Sequence, residues 1–229
     1  MLAPAGGGRQ KDVRCSAVGY SPLELDPVVL PLVAGRTVLD LGCGFGHWGQ
    51  LLRTHYHSDE PGLRAKVTGV DIFEPNVEFC RGGGAYEALF AVDAVEYVAA
   101  QPAGSFDTVL ATELIEHLTR EAGERLMEEA VRVAAKVVVL STPSWEYLRP
   151  GAATMTGYNE HESHVSAWKA ADFRRRGFTV RGMGHRVRYW PVRGVNRLLN
   201  AFPTLDHVLA AVAVEHPVIA HSLVAYRRA

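Results

Sequence analysis

The sequence contains few cysteines and no long apolar run. Its three cysteines, Cys15, Cys43 and Cys80, have no paired spacing, which excludes a disulfide framework and a cysteine metal cluster and favours a reducing compartment. No apolar stretch approaches the roughly 20 residues that a membrane-spanning helix needs. Residues 1–8 lack the apolar core of a signal peptide. These absences predict a cytoplasmic protein without a membrane span.

The numbers of basic and acidic residues are also nearly equal. The chain has 24 basic and 25 acidic residues among 229, and a formal net charge of −1. No overall field therefore attracts it to nucleic acid or to an anionic membrane, and a nucleic-acid partner is not expected. The hydrophobic content of 48% is typical of a globular domain. We expect a flexible tail over residues 1–14 and one domain over residues 15–229.

A glycine-rich turn between a strand and a helix is the central motif. Glycine occurs at alternate positions of the turn, and Trp48 and Leu52 lie on one face of the helical pattern that follows. Such a unit begins an open α/β sheet, whose ligand crevice lies at the carboxyl end of the strand. Glycines let the backbone approach a nucleotide-like ligand closely. The motif consists of Val38, Leu39, Asp40, Leu41, Gly42, Cys43, Gly44, Phe45 and Gly46.

The spacing of these glycines separates two families. The nicotinamide oxidoreductase fingerprint is G-x-G-x-x-G, whereas this chain has G-x-G-x-G with Asp40 two residues before Gly42. The segment resembles the first motif of the class I S-adenosylmethionine-dependent methyltransferases. The resemblance implies a doubly wound α/β fold with a seven-stranded, mostly parallel sheet in the order 3-2-1-4-5-7-6. Strand 7 would be antiparallel, and helices would flank the sheet.

The resemblance also implies which residues bind S-adenosylmethionine. Asp71, with Ile72, follows the second predicted strand, where an acid accepts hydrogen bonds from ribose hydroxyls. Asp93 and Ala94 follow the third strand and would meet the adenine, although Asp93 alone is also typical of a helix N-cap. Thr112 ends the fourth strand on the same side. The first motif adds four more candidates, namely Asp40, Gly42, Gly44 and Gly46.

A group of acids and histidines follows the fourth strand. If Glu113, Glu116 and His117 begin a helix, they share one face. The pattern E-x-x-E-H looks like that of ubiquinone-pathway O-methyltransferases and of small-RNA 2′-O-methyltransferases, which implies a divalent metal such as Mg²⁺, with His164 as a fourth ligand. The alternative is a helix start with acids favoured by the macrodipole. His117 and His164 are also the candidate catalytic bases, because histidine titrates near neutral pH.

Two later segments have no assigned chemistry in the sequence. Residues 144–166 are rich in aromatic residues and histidine and are predicted to be a substrate-facing insertion, and residues 193–214 are predicted to be helical with a break at Pro203. The favoured function is methyl transfer to an oxygen or nitrogen of a small-molecule acceptor. A metal-dependent RNA 2′-O-methyltransferase and a non-catalytic adenosyl-binding subunit are the alternatives. An oligomer is compatible with the sequence.

Overall fold

The computed structural model describes residues 25–55, 65–145, 148–189 and 194–229. The predicted tail over residues 1–14 lies outside the described residues. The strands are β1 Thr37–Leu41, β2 Lys66–Asp71, β3 Ala88–Ala91, β4 Phe106–Thr112, β5 Ala134–Pro143, β6 Ala152–Thr154, β7 Gly157–Asn159, β8 Thr179–Met183 and β9 Ser222–Arg228. The α-helices are α1 Asp26–Val29, α2 His47–His55, α3 Glu74–Arg81, α4 Ala94–Ala99, α5 Arg120–Val133, α6 Ala170–Arg174, α7 Val195–Ala201 and α8 Pro203–Glu215.

Seven strands form one twisted sheet in the order β3-β2-β1-β4-β5-β9-β8. The first five strands of this order pair in parallel, whereas β9 is antiparallel to both β5 and β8. Strands β6 and β7 form a separate hairpin. When this hairpin is left out of the numbering, the order is 3-2-1-4-5-7-6 with an antiparallel seventh strand, so the predicted fold class is confirmed.

Helices cover both faces of the sheet because its central strands are apolar on both sides. In β5, for example, Val137 to Leu140 are all buried. One core cluster joins the sheet to α4, α5 and α6 through residues such as Val98, Leu126 and Phe173. A second cluster joins the other face to α1 and α2 through residues such as Val29 and Trp48. None of the described helices is long and apolar enough to cross a membrane.

The two late segments differ in how closely they follow the sequence pattern. The predicted helical segment forms α7 and α8, which are separated at Phe202 because Pro203 begins the second helix. The described part of residues 144–166 is more regular than its sequence suggests. It contains the β6–β7 hairpin and a 3₁₀ turn over Glu160–Glu162. Residues 146–147 of this insertion lie outside the described residues.

Candidate functional site

A cavity of about 760 Å³ opens at the carboxyl ends of the parallel strands. Its wall runs from the glycine turn after β1 to the insertion that contains the β6–β7 hairpin. Most of the predicted cofactor and metal residues line this one cavity. They are Gly42, Gly44, Asp71, Ile72, Asp93, Ala94, Thr112, Glu113, Glu116, His117 and His164.

The glycine turn is held in place by the carboxylate at the end of β2. The Gly44 backbone N–H donates a 2.9 Å hydrogen bond to Asp71 Oδ2, and the Phe73 N–H donates one of 2.9 Å to Asp71 Oδ1. Gly42 and Gly44 have φ values of 71° and 52°, a backbone region that favours glycine. Burial raises the pKa of Asp71. The predicted ribose acid therefore also shapes the loop beside it.

Two of the predicted cofactor residues do not line the cavity. Asp40 is fully buried, and its Oδ2 accepts a 2.7 Å hydrogen bond from the Tyr86 hydroxyl. Burial raises the pKa of Asp40 to about 7. Gly46 faces the interior, where an added Cβ would lie 3.0 Å from the Cys80 sulfur. Asp40 and Gly46 thus contact protein atoms behind the loop, and their contact with a cofactor stays a prediction.

Tyr86 is a site residue that the sequence did not reveal. Its hydroxyl accepts a 3.2 Å hydrogen bond from the Gly49 N–H while it donates to Asp40. Its ring fills the space left by two glycines, Gly49 and Gly69. The only signal in the sequence is the pair of glycines inside a helix and a strand, where glycine is otherwise unfavourable. Tyr86 thus connects β1, α2 and β2 beneath the glycine turn.

The residues after β3 and β4 face the same cavity. Asp93 Oδ1 accepts hydrogen bonds from the Val95 and Glu96 N–H groups at 2.8 and 3.0 Å, so it caps α4 while also lining the cavity. The two interpretations of Asp93 are therefore compatible. Thr112 accepts a 2.6 Å hydrogen bond from the Trp48 indole N–H. This bond connects the end of β4 to α2.

The expected helix over Glu113, Glu116 and His117 is replaced by a sharper turn. Glu113 has a φ of 49°, and the Ser141 hydroxyl donates a 2.8 Å hydrogen bond to its Oε1. A 3₁₀ turn over Ile115–His117 follows. Because of this turn, Glu113 does not join Glu116, His117 and His164, whose ligand atoms lie within 4.8 Å of one another. Three of the four predicted metal ligands thus lie together, and the metal site itself stays a prediction.

These three residues have the properties of ligands. Glu116 is 2% exposed, and among the described residues no group bonds to its buried Oε2. His117 Nδ1 donates a 3.1 Å hydrogen bond to the Ser163 carbonyl, so the lone pair of the neutral ring lies on Nε2. The rings of His117 and His164 are perpendicular with centroids 4.7 Å apart. Burial and His164 lower the pKa of His117 to about 4, so its ring is neutral at physiological pH.

The donor set argues against magnesium. Mg²⁺ prefers oxygen ligands in an octahedron, whereas two imidazoles and one carboxylate suit a transition-metal ion. The buried, unpartnered oxygen of Glu116 and the neutral His117 fit such an ion. The three side chains therefore fit a transition-metal ion better than Mg²⁺.

Several further residues, which the sequence did not mark as site residues, also line the cavity. Trp145 and His221 pack edge to face with ring centroids 4.6 Å apart. The insertion supplies a guanidinium at Arg149, and it reaches α3 through a 2.8 Å hydrogen bond from the Thr156 hydroxyl to Asn76 Oδ1. The remaining lining residues from the insertion are Asn159, His161 and Glu162. No motif marks them, because they come from an aromatic-rich segment without periodicity.

Comparisons with known proteins agree with this geometry. Residues 38–136 match a family described as a methyltransferase domain. The chain is 34% identical over 102 residues to a ubiquinone biosynthesis O-methyltransferase of Xanthomonas oryzae, covering 43% of this chain and 39% of that protein. It is 31% identical over 183 residues to ajmaline N-methyltransferase of Rauvolfia serpentina, covering 72% of this chain and 57% of that protein. The chain thus spans less than two thirds of these relatives.

A solved structure has the same fold. A S-adenosylmethionine-dependent methyltransferase from Archaeoglobus fulgidus superposes with a TM-score of 0.56 and 18% identity, covering 90% of this chain and 91% of that one. The sheet order, the glycine turn and the matching domain lead to one assignment. Residues 38–136 match a methyltransferase domain of the class I, S-adenosylmethionine-dependent type.

Proposed function

We propose that the protein transfers a methyl group from S-adenosylmethionine to an oxygen or nitrogen of a small-molecule acceptor. The observation that supports this proposal is a single cavity lined by the glycine turn, by the acids after β2 and β3, and by a cluster of histidines and acids. The cofactor supplies the activated methyl group, and the protein supplies alignment and exclusion of water. A cavity of about 760 Å³ leaves room for both molecules.

The cofactor half of the cavity has the groups that an adenosyl ligand needs. Gly42 and Gly44 let the backbone approach the ligand, and Asp71 has further acceptor capacity for ribose hydroxyls. Asp93 and the Ala94 backbone lie at the start of α4, where they would contact the adenine. We also propose Ile72 and Thr112 as cofactor contacts, because both line the same half.

Titration calorimetry with S-adenosylhomocysteine tests this assignment. We expect the wild-type protein to bind, and we expect Asp71→Asn to weaken binding about tenfold or more, because the variant loses charge-assisted hydrogen bonds. Glu78→Gln, which changes an exposed carboxylate on α3, is the matched control and should leave binding unchanged. A folded wild-type protein that binds no S-adenosylhomocysteine would overturn the proposal.

The alternatives receive less support from the cavity. A non-catalytic adenosyl-binding subunit needs no acceptor space, yet residues such as Trp145 and Arg149 extend the cavity beyond the cofactor half. An RNA methyltransferase needs a basic groove, yet among the described residues that line the cavity Arg149 is the only arginine or lysine. We therefore favour a small molecule. His117 and His164 as bases, an oligomer and a cytoplasmic location remain predictions.

A second proposal concerns a divalent cation. We propose that Glu116, His117 and His164 hold a transition-metal ion, which would lower the pKa of an acceptor hydroxyl and orient it. Visible absorption of Co²⁺ tests the site without turnover. We expect d–d bands from the wild-type protein, and their loss in His164→Ala. His207→Ala, which changes an exposed histidine on α8, should keep the bands. Identical bands in wild type and His164→Ala would contradict the proposal.

A further inference from the structure

Arg149 is a largely buried cation whose ion pair with a carboxylate is long. Its side chain is 19% exposed, and within the described part of the chain no other arginine or lysine lines the cavity. Its ion pair with Glu162 is long, at 3.4 Å, and among the described residues no group bonds to its buried Nε. By comparison, Arg125 pairs with Glu96 at 2.6 Å. A buried guanidinium that is incompletely hydrogen-bonded is costly, and a bound anion would remove that cost.

The backbone fixes Arg149 beside the histidine cluster. Arg149 and His164 form an antiparallel bridge in which the His164 N–H donates a 2.9 Å hydrogen bond to the Arg149 carbonyl. This bridge places Arg149 next to His164, and both residues line the same cavity.

We infer that Arg149 binds a carboxylate of the acceptor and that the acceptor is an aromatic acid. This inference depends on the proposed function. The planar fork of arginine matches a carboxylate with two parallel hydrogen bonds. Trp145, His221 and Leu118 line the cavity and offer apolar and aromatic surface to a ring. Glu162 is a weak competitor for Arg149, since its contact is long.

A pair of probes isolates the carboxylate. Calorimetry with protein saturated with S-adenosylhomocysteine compares 3,4-dihydroxybenzoate with catechol, which lacks only the carboxylate. We expect wild type to bind the benzoate about tenfold or more tightly than catechol, since the benzoate adds charge-assisted hydrogen bonds in a buried site. Arg149→Met should reduce this ratio to about one, and Arg149→Lys should keep part of it. Arg125→Met, a change at an exposed arginine, should retain the full ratio.

The outcomes separate this inference from the proposed function. A ratio near one in wild type, an unchanged ratio in Arg149→Met, or no binding of the benzoate would overturn the role of Arg149. A purely structural role would change S-adenosylhomocysteine affinity or thermal stability in Arg149→Met and leave the ratio intact. Binding of S-adenosylhomocysteine is measured first and tests the cofactor assignment alone. If S-adenosylhomocysteine binds but wild type does not prefer the benzoate over catechol, only the inference of an aromatic acid is contradicted.

Discussion

At the scale of single residues, Asp40 shows how the fold changes the chemistry of a carboxyl group. It lies at the heart of the glycine motif, yet it is fully buried and bonded to Tyr86, and its Oδ1 has no partner among the described residues. Burial raises its pKa from 3.8 to about 7. The neutral acid is therefore the form that the folded protein favours, and the ionised form is destabilising.

This shift predicts a pH dependence of stability. Between about pH 4 and 7 the folded state holds a proton on Asp40 that the unfolded state has lost, so the free energy of unfolding falls as pH rises, by an amount on the order of a few kcal/mol. Asp40→Asn keeps an acceptor for the Tyr86 hydroxyl and removes this titration. We expect wild type to lose more stability than the variant between pH 5 and 8.5, as measured by urea denaturation.

Glu96→Gln is the control for this experiment, because Glu96 is an exposed carboxylate on α4. It should follow the wild-type pH profile. Equal losses of stability in wild type and Asp40→Asn would show that the Asp40 carboxyl has a similar pKa in the folded and unfolded states. The comparison uses the difference between the two profiles, since the buried Glu113 and Glu116 also titrate with raised pKa values in both proteins.

At the scale of elements, α2 contains a glycine where alanine would usually stabilise a helix. An added Cβ at Gly49 would overlap the Tyr86 ring, and the Gly49 N–H also bonds to the Tyr86 hydroxyl. Gly69 in β2 meets the same ring, with an added Cβ at 2.7 Å. The helix and the strand therefore accept less favourable residues so that one aromatic ring can pack between them.

We expect Gly49→Ala to lower the free energy of unfolding by about 1–3 kcal/mol, because overpacking outweighs the gain of about 1 kcal/mol in helix propensity. Gly82→Ala is the matched control. Gly82 has a φ of −65° at the end of α3, and the nearest atom to an added Cβ, the Phe79 carbonyl oxygen, lies 3.7 Å away. Urea denaturation should show little change for Gly82→Ala. A Gly49→Ala protein as stable as wild type would mean that Tyr86 moves aside freely.

At the scale of the whole molecule, the sequence predicted the sheet better than the site. The strands are short apolar runs, and the family resemblance supplied their order, which is confirmed. The acids after β2 and β3 were predicted to meet at one edge because parallel strands end together there, and both line the cavity. The direction of the Asp40 side chain was not predictable, because helices cover both faces of β1 and its burial pattern does not alternate.

Local sequence patterns did not predict the part of the site that is proposed to bind the acceptor. The left-handed turn at Glu113 depends on Ser141, a hydrogen-bond partner 28 positions away in the sequence. The place of Arg149 beside His164 depends on a single bridge between irregular segments. Hydrophobic periodicity carries no information about such contacts, since they are set by tertiary packing rather than by the pattern of apolar residues.

The bond between Thr156 and Asn76 has a practical consequence for anyone who wishes to redesign the protein. The insertion that shapes the acceptor end is attached, through this bond, to a helix next to the cofactor half. A chimera that grafts residues 148–166 from a homologue should therefore exchange position 76 at the same time. The unit that can be swapped between scaffolds is discontinuous, and it includes one buried residue of α3.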